Sequence, residues 1–266
     1  MNIIAFSIGP LVFHWYGVIL SFSIFIGLLI SIWQTKIFGD SLKHLFELVI
    51  FCVPVGILFS RIYYVAANWD LYRNVPLEWL TFWHGGLAIH GAFIGVIATL
   101  WFYTYKTTIP FWHWGDILAP GLVMAQAIGQ WGNFINQEAF GYPTAASWGI
   151  YIDFAYRPLG YERYDYFHPT ALYESGLAFF IFLVLVLCNS FKGKLFHIKE
   201  GSVFLGYIIL YSIGRFFIES LRLDSEMLLG IRLAQVVCVL SILLASWLLI
   251  CRNSSRFTNL DNSKHT

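Results

Sequence analysis

The chain has 266 residues, of which 58% are hydrophobic, 19% are aromatic and only 12% are charged. Soluble globular domains carry about 25% charged residues, so this composition excludes a soluble globule and predicts an integral membrane protein. The net charge of +1 gives no electrostatic reason to expect a nucleic-acid partner. The four cysteines lie in or beside apolar runs without C-x-x-C spacing, which predicts buried thiols. We predict no metal and no other cofactor.

Apolar runs predict the fold. The first ten residues contain no Lys or Arg, so they lack the basic region of a cleavable signal peptide, and the first apolar run is expected to stay in the protein. A membrane-spanning helix needs about 20 mostly apolar residues. Runs of this kind occur near 14–34, 45–66, 86–104, 115–131, 170–190, 202–220 and 232–251. The sequence therefore predicts an all-α integral membrane protein with seven transmembrane helices.

The basic residues predict the orientation. Nine fall on the C-terminal side of the predicted bundle, namely Lys36, Lys43, Lys106, Lys192, Lys194, Lys199, Arg252, Arg256 and Lys264. Five fall on the N-terminal side, namely Arg73, Arg157, Arg163, Arg222 and Arg232. The positive-inside rule then places the N-terminus outside and the C-terminus in the cytoplasm. The membrane domain would cover residues 1–251, with a small extracytoplasmic cap at 132–169, and residues 252–266 would form a polar cytoplasmic tail.

Some of the apolar runs contain ionisable side chains, each costing about 2.5 to 3.5 kcal/mol inside hydrocarbon. His90 precedes Gly91 and Gly95, whose G-x-x-x-G spacing predicts close packing against another helix. Histidine is the usual general base in enzymes. A histidine that only forms a hydrogen bond between two helices would give the same pattern.

Arg215 and Glu219 are four residues apart, so they share one face of a predicted helix. They could neutralise each other as a structural pair. Alternatively, the planar guanidinium suits a phosphate, and near the outer membrane surface that phosphate belongs to a lipid headgroup. Arg222 lies about two turns further on, which predicts a second cation on nearly the same face.

Residues 125–141, AQAIGQWGNFINQEAFG, change from an apolar helix to a polar turn. We interpret this stretch as the edge of an active site, although polar turn residues that only end a helix would look alike. Tyr16 begins the first apolar run. The aromatic belt at the membrane surface explains it, and contact with a lipid headgroup is the alternative.

Six motifs occur in order along the chain: HWYG at 14–17, SRIYYV at 60–65, HGGLAIHG at 84–91, GNFINQEAFG at 132–141, HPTALYE at 168–174 and GRFFIESLR at 214–222. On these motifs the whole chain resembles the bacterial prolipoprotein diacylglyceryl transferases. The resemblance implies a seven-helix inner-membrane enzyme with its N-terminus outside. It also implies transfer of the diacylglyceryl group from phosphatidylglycerol to the lipobox cysteine of a preprolipoprotein signal peptide, with release of glycerol 1-phosphate. Membrane lipids and these signal peptides are the implied partners.

The resemblance also implies roles for particular residues. Attack by a thiol on the glycerol carbon needs a base, and the leaving phosphate needs a cation. His90 is the candidate base, Arg215 is the candidate cation, and Tyr16 is placed with them in the catalytic group. The implied headgroup contacts are Gln130, Asn133, Asn136, Glu138, Gly141, Glu219 and Arg222.

One position departs from the family pattern G-R-x-G-N-F, because Gln130 stands where the pattern has an arginine. A neutral amide can donate a hydrogen bond to a phosphate but brings no charge. Two alternatives therefore remain open. The chain could be a weakened or inactive relative, or it could bind or transport phospholipid without covalent chemistry. The lack of an internal repeat argues against an inverted-repeat transporter.

Overall fold

The computed structural model describes residues 4–9, 11–81, 86, 88–191, 199–225, 227–228 and 230–253. By its internal contacts the chain divides into two units. The larger unit contains residues Met1–Ser31 and Gly115–Thr266, and the smaller unit contains Ile32–Trp114. The predicted tail from residue 254 onward and His84 lie outside the described residues.

The protein is mostly helical. Its α-helices are α1 (Trp15–Phe38), α2 (Leu42–Ala67), α3 (Trp69–Tyr72), α4 (Ile89–Thr107), α5 (Phe111–Ile135), α6 (Thr170–Phe191), α7 (Ser202–Glu219) and α8 (Leu233–Asn253). Within the described residues, five helices are long and apolar enough to cross a membrane: α1, α2, α6, α7 and α8. A helical integral membrane protein is thus confirmed, and α4 and α5 cover the other two predicted runs.

Helix α5 is longer than the sequence predicted. It continues to Ile135, past the predicted end near residue 131, so Asn133 is helical and not part of a loop. The glycine at 132 does not end the helix, because its backbone remains helical. The chain turns instead at Gln137 and Ala139, which both have φ of 55°.

Short β-pairs occur outside the helices, which the all-α prediction did not include. They are β1 (Ile4–Ile8) with β2 (Leu11–His14), β3 (Ile150–Tyr151) with β4 (Tyr166–Phe167), and β5 (Met227–Leu228) with β6 (Ile231–Arg232), all antiparallel. In the connection between α5 and α6, Phe140, Ile152 and Phe167 form a small buried core. The 136–169 connection is therefore a packed structure.

In the larger unit, α5, α6 and α7 pack together through small and branched side chains. Members of this core include Ala119, Val123, Ala178, Ile181 and Val203. Small residues let helices approach closely where lipid supplies no hydrophobic force between them. The three helices that carry the polar residues of the next section are therefore held side by side.

Both ends of α7 are bound by side chains from other segments. Asp116, fully buried on α5, accepts hydrogen bonds from the backbone N–H groups of Gly201 and Phe204, each at 2.8 Å. A carboxylate is favourable at this end, since the N-terminal N–H groups of a helix are otherwise unpaired. At the other end, Arg232 donates from Nη1 to the carbonyl of Glu219.

In the smaller unit, α4 packs closely against α2. A Cβ added to Gly95 would lie 2.8 Å from the carbonyl oxygen of Val55, and one added to Gly91 would overlap the carbonyl of Phe59. The close packing predicted from G-x-x-x-G is confirmed. Arg61 of α2 is buried and donates to the carbonyl oxygens of Glu78, Trp79 and Gly86.

Candidate active site

A polar cluster in the larger unit is centred on Glu174, a buried carboxylate in α6 with 2% exposure. Its Oε1 contacts Nη1 of Arg215 and lies 3.1 Å from Nη1 of Arg222. Its Oε2 accepts a hydrogen bond of 2.6 Å from Nε2 of Gln130. One carboxylate thus joins side chains from α5, from α7 and from the turn after α7. A buried charge needs such partners, because isolated burial is costly.

Arg215 also pairs along its own helix. Its Nη2 lies 2.8 Å from Oε2 of Glu219, which is 2% exposed. The shared face predicted from the four-residue spacing is confirmed. Arg215 is therefore held between two carboxylates, Glu174 and Glu219, and is a member of a larger cluster as well as of a pair.

Arg222 reaches the cluster in a different way from the one predicted. Helix α7 ends at Glu219, so Arg222 lies in the following turn and not on the helix face. There it forms an isolated β-bridge with Gly141. A Cβ on Gly141 would lie 2.5 Å from the carbonyl oxygen of Leu221. Gly141 contributes by close backbone approach, which positions Arg222 near Glu174.

Asp224 holds Arg222 from the other side. The Nε and Nη2 of Arg222 donate to the two carboxylate oxygens of Asp224, at 2.9 and 2.6 Å. The Asp224 side chain is 50% exposed. Burial tends to raise the pKa of Asp224, but the hydrogen bond and the charge of Arg222 outweigh it and hold that pKa below its ordinary value. Asp224 is thus ionised at neutral pH.

The amides of α5 continue the network. Nδ2 of Asn133 donates to Oε1 of Gln130 at 2.8 Å, while Nε2 of Gln130 donates to Glu174. Gln130 and Asn133 are three residues apart on α5 and bond to each other, so they lie on one face of the helix. The neutral amide at position 130 satisfies the second oxygen of Glu174 without adding a charge.

Three other predicted residues lie along the same end of α5. The ring of Tyr16, on α1, packs over Gly132, where an added Cβ would lie 2.9 Å from the ring. Asn136 has a buried side-chain oxygen without a hydrogen-bond partner among the described residues. Glu138 is exposed, and its backbone N–H closes the turn by donating to the carbonyl of Asn133 at 2.9 Å.

His90 is not joined to this cluster by any described contact. Its backbone lies in the first turn of α4, in the smaller unit, and its side chain is outside the described residues. Its role as a base stays a prediction.

The sequence analysis missed two members of the cluster, Glu174 and Asp224. Glu174 could have been identified from the sequence, because it is an ionisable residue in the apolar run 170–190. The cost of burying such a residue, which drew attention to Arg215, applies to it equally. Asp224 could not have been identified in this way, since aspartate is common in turns after helices.

These features define an integral membrane protein with a buried cluster of arginines and carboxylates between its helices. The chain belongs to the prolipoprotein diacylglyceryl transferase family, whose model matches residues 3–251. The family predicted from the six motifs is thus confirmed.

Individual relatives match over nearly the whole chain. A phosphatidylglycerol–prolipoprotein diacylglyceryl transferase of Bacillus velezensis is 40% identical over 263 residues, which are 97% of this chain and 95% of the relative. Those of Synechocystis and of Listeria monocytogenes serotype 4a are 43% and 39% identical, covering 91% and 94% of this chain and 86% and 89% of the relatives.

Proposed function

We propose that this protein transfers the diacylglyceryl group of phosphatidylglycerol to the lipobox cysteine of preprolipoproteins. The cysteine sulfur forms a bond to the glycerol carbon that carries the phosphoester, and the bond between that carbon and the phosphate oxygen breaks. The electron pair of the broken bond leaves with glycerol 1-phosphate, and the thiol proton passes to a base. The products are a thioether-linked lipid and glycerol 1-phosphate.

The observation that supports this proposal best is the meeting of Arg215 and Arg222 on the single buried carboxylate Glu174. Negative charge gathers on the leaving phosphate, and cations fixed in place before the reaction stabilise that charge. Fixed guanidiniums are also suited to phosphate oxygens by their planar shape. Arg215 is the proposed catalytic cation, and Glu219 fixes its orientation.

The amide side of the cluster would bind the headgroup. Gln130 and Asn133 lie near the end of α5 and Asn136 lies in the turn that follows it. The unpaired side-chain oxygen of Asn136 is suited to accept a hydrogen bond from a glycerol hydroxyl. Tyr16 sits over the adjacent turn of α5 and would complete the catalytic group. Glu138 and Gly141 shape the turn that follows.

The thiol needs a base, because a cysteine of pKa about 8.5 is mostly protonated at neutral pH. His90 is the proposed base, and the support for this role is the resemblance of HGGLAIHG and the ordinary chemistry of imidazole.

We propose that all seven long helices cross the bacterial inner membrane, with residues 132–169 outside and the C-terminus in the cytoplasm. The excess of basic residues on one side supports this orientation. Reporter fusions at a residue of the 136–169 connection and at the C-terminus test it, and the opposite sidedness would contradict it.

The activity itself is tested with purified protein, phosphatidylglycerol and a synthetic lipobox peptide. Mass spectrometry should detect a peptide heavier by one diacylglyceryl group, and glycerol 1-phosphate should appear in equal amount. A peptide with the lipobox cysteine replaced by serine is the control. Binding of phosphatidylglycerol without any modified peptide would favour a lipid-binding or transport function instead.

A further inference from the structure

The exposed carboxylate Asp224 occupies one complete donor edge of Arg222. This edge consists of Nε and Nη2, which donate to the two oxygens of Asp224 at 2.9 and 2.6 Å. Two parallel hydrogen bonds from one edge of a guanidinium are the arrangement in which arginine binds carboxylate or phosphate. A phosphate bound to this edge of Arg222 would therefore take the place that Asp224 holds.

The two carboxylates on Arg222 differ in how easily they can leave it. Glu174 is 2% exposed and also binds Arg215 and Gln130, so its removal would leave buried charges unpaired. Asp224 has a side chain that is 50% exposed, and a rotation of that side chain returns its charge to water. Detaching a half-exposed carboxylate costs less than detaching a buried one, because water can solvate the released charge. Of the two carboxylates on Arg222, Asp224 is therefore the one that an anion can displace at the lower free-energy cost.

The charge of the cluster points in the same direction. Two guanidiniums, Arg215 and Arg222, face three carboxylates, Glu174, Glu219 and Asp224. Arg232 lies beside them, because it donates to the backbone carbonyl of Glu219, so three cations face three anions when all are ionised. An approaching anionic headgroup therefore meets arginines whose charge the carboxylates already neutralise. If Asp224 turns away, the cations exceed the anions by one and the headgroup is attracted.

We propose that Asp224 competes with the phosphate of the phospholipid for the Nε and Nη2 edge of Arg222. When the lipid binds, its phosphate displaces Asp224 from this edge. This inference rests on the proposed function, because it takes phosphatidylglycerol as the ligand of the cluster. Asp224 lowers the affinity for the anionic headgroup and equally for the anionic product. A site that binds its phosphate-bearing product less tightly releases it faster.

The test is the isosteric substitution Asp224→Asn, which keeps the shape and removes the charge. The KM for phosphatidylglycerol should fall about two- to fivefold, the change that about 0.4 to 1 kcal/mol of lost competition produces. Inhibition by added glycerol 1-phosphate should become stronger by a similar factor. Both effects should shrink at high salt, because the competing charge is partly exposed to water.

The matched control is Asp165→Asn. Asp165 is also an exposed aspartate paired with an arginine, with its Oδ1 2.7 Å from Nη2 of Arg157 and its side chain 59% exposed. Arg157 bonds to the carbonyls of Ile152 and Glu162 and belongs to the 136–169 connection. This control should leave the KM for phosphatidylglycerol and the product inhibition unchanged.

An unchanged or raised KM in Asp224→Asn, in protein with an unaltered unfolding midpoint, would overturn the inference, since Asp224 would then hold Arg222 in place for the lipid.

A direct binding measurement distinguishes failure of this inference from failure of the proposed function. If the unsubstituted protein modifies no peptide, the proposed function fails. Binding of dioctanoyl phosphatidylglycerol, compared with uncharged dioctanoylglycerol, still shows whether Asp224→Asn tightens the site for the phosphate. Equal binding of dioctanoyl phosphatidylglycerol by both proteins would overturn the inference on its own.

Discussion

Replacing Glu174 with glutamine removes the one charge that joins Arg215 to Arg222. If the glutamine oxygen stays toward the two arginines, its NH₂ group faces the NH₂ of Gln130, where Oε2 of Glu174 now accepts a bond of 2.6 Å. Two donors then oppose each other in a buried place. The substitution therefore costs a hydrogen bond as well as a charge.

The size of the effect follows from the remaining partners. Breaking a buried ion pair costs about 3 to 5 kcal/mol, but Arg215 keeps Glu219 and Arg222 keeps Asp224. We therefore expect a smaller loss of about 2 to 3 kcal/mol, at or below the lower limit of that range. A loss of this size lowers the unfolding midpoint by about 4 to 12 °C in a protein of this length. Misplacing the cations should reduce the transfer rate about 100-fold.

The exchange of the two side chains provides a sharper test than the single substitution. The double variant Gln130→Glu with Glu174→Gln returns one carboxylate and one amide to the same pair of positions. It should recover at least about tenfold of the lost rate, since contacting residues show strong coupling in double-mutant cycles. Gln130→Glu alone places two carboxylates together, so its transfer rate should be lower than that of Glu174→Gln and lower than that of the double variant.

Rates are measured as single-turnover modification of a lipobox peptide followed by mass spectrometry, with unfolding midpoints measured in the same detergent. A Glu174→Gln protein with normal rate and normal midpoint would refute the reasoning. An exchanged protein no better than Glu174→Gln would show that the position of the charge, and not its presence, is what the arginines require.

Three further predictions concern single substitutions. His90→Ala should lower transfer about 10²- to 10⁴-fold without changing the unfolding midpoint, as for loss of a general base, and near-normal turnover would remove His90 from the mechanism. Gln130→Arg should raise transfer from phosphatidylglycerol, because it brings a cation to Oε2 of Glu174, with a weaker gain at high salt; unchanged activity at equal protein abundance would mean that position 130 is not limiting. Asp116→Asn should lower the unfolding midpoint, since one amide oxygen replaces two carboxylate oxygens on buried N–H groups at a cost of about 1 to 3 kcal/mol, and an unaltered midpoint would contradict it.

Patterns within a single segment were predictable from the sequence. The apolar runs predicted the long helices, and the four-residue spacing predicted that Arg215 and Glu219 share one helix face. The predicted end of α5 was too early, because the sequence does not show that Gly132 is helical and that the chain first turns at Gln137. The β-pairs of two residues are too short to leave a period in the sequence.

Contacts between segments were not predictable in this way. Glu174 meets Arg215 from another helix, and the rotation of α6 about its axis decides whether it faces the core or lipid. Arg222 reaches the cluster from a turn, at a position fixed by the bridge to Gly141. The site is therefore a product of packing, and spacing along the chain found only the part that lies on one helix.

The two end contacts of α7 fix its depth in the bundle. A helix advances about 1.5 Å and rotates about 100° for each residue, so a slip of one residue would swing Arg215 well away from Glu174. The hydrogen bonds of Asp116 at the start of α7 and of Arg232 at its end would both break in such a slip, so they oppose it. A carboxylate about 20 Å from Arg215 along the axis thereby helps to set where its guanidinium stands.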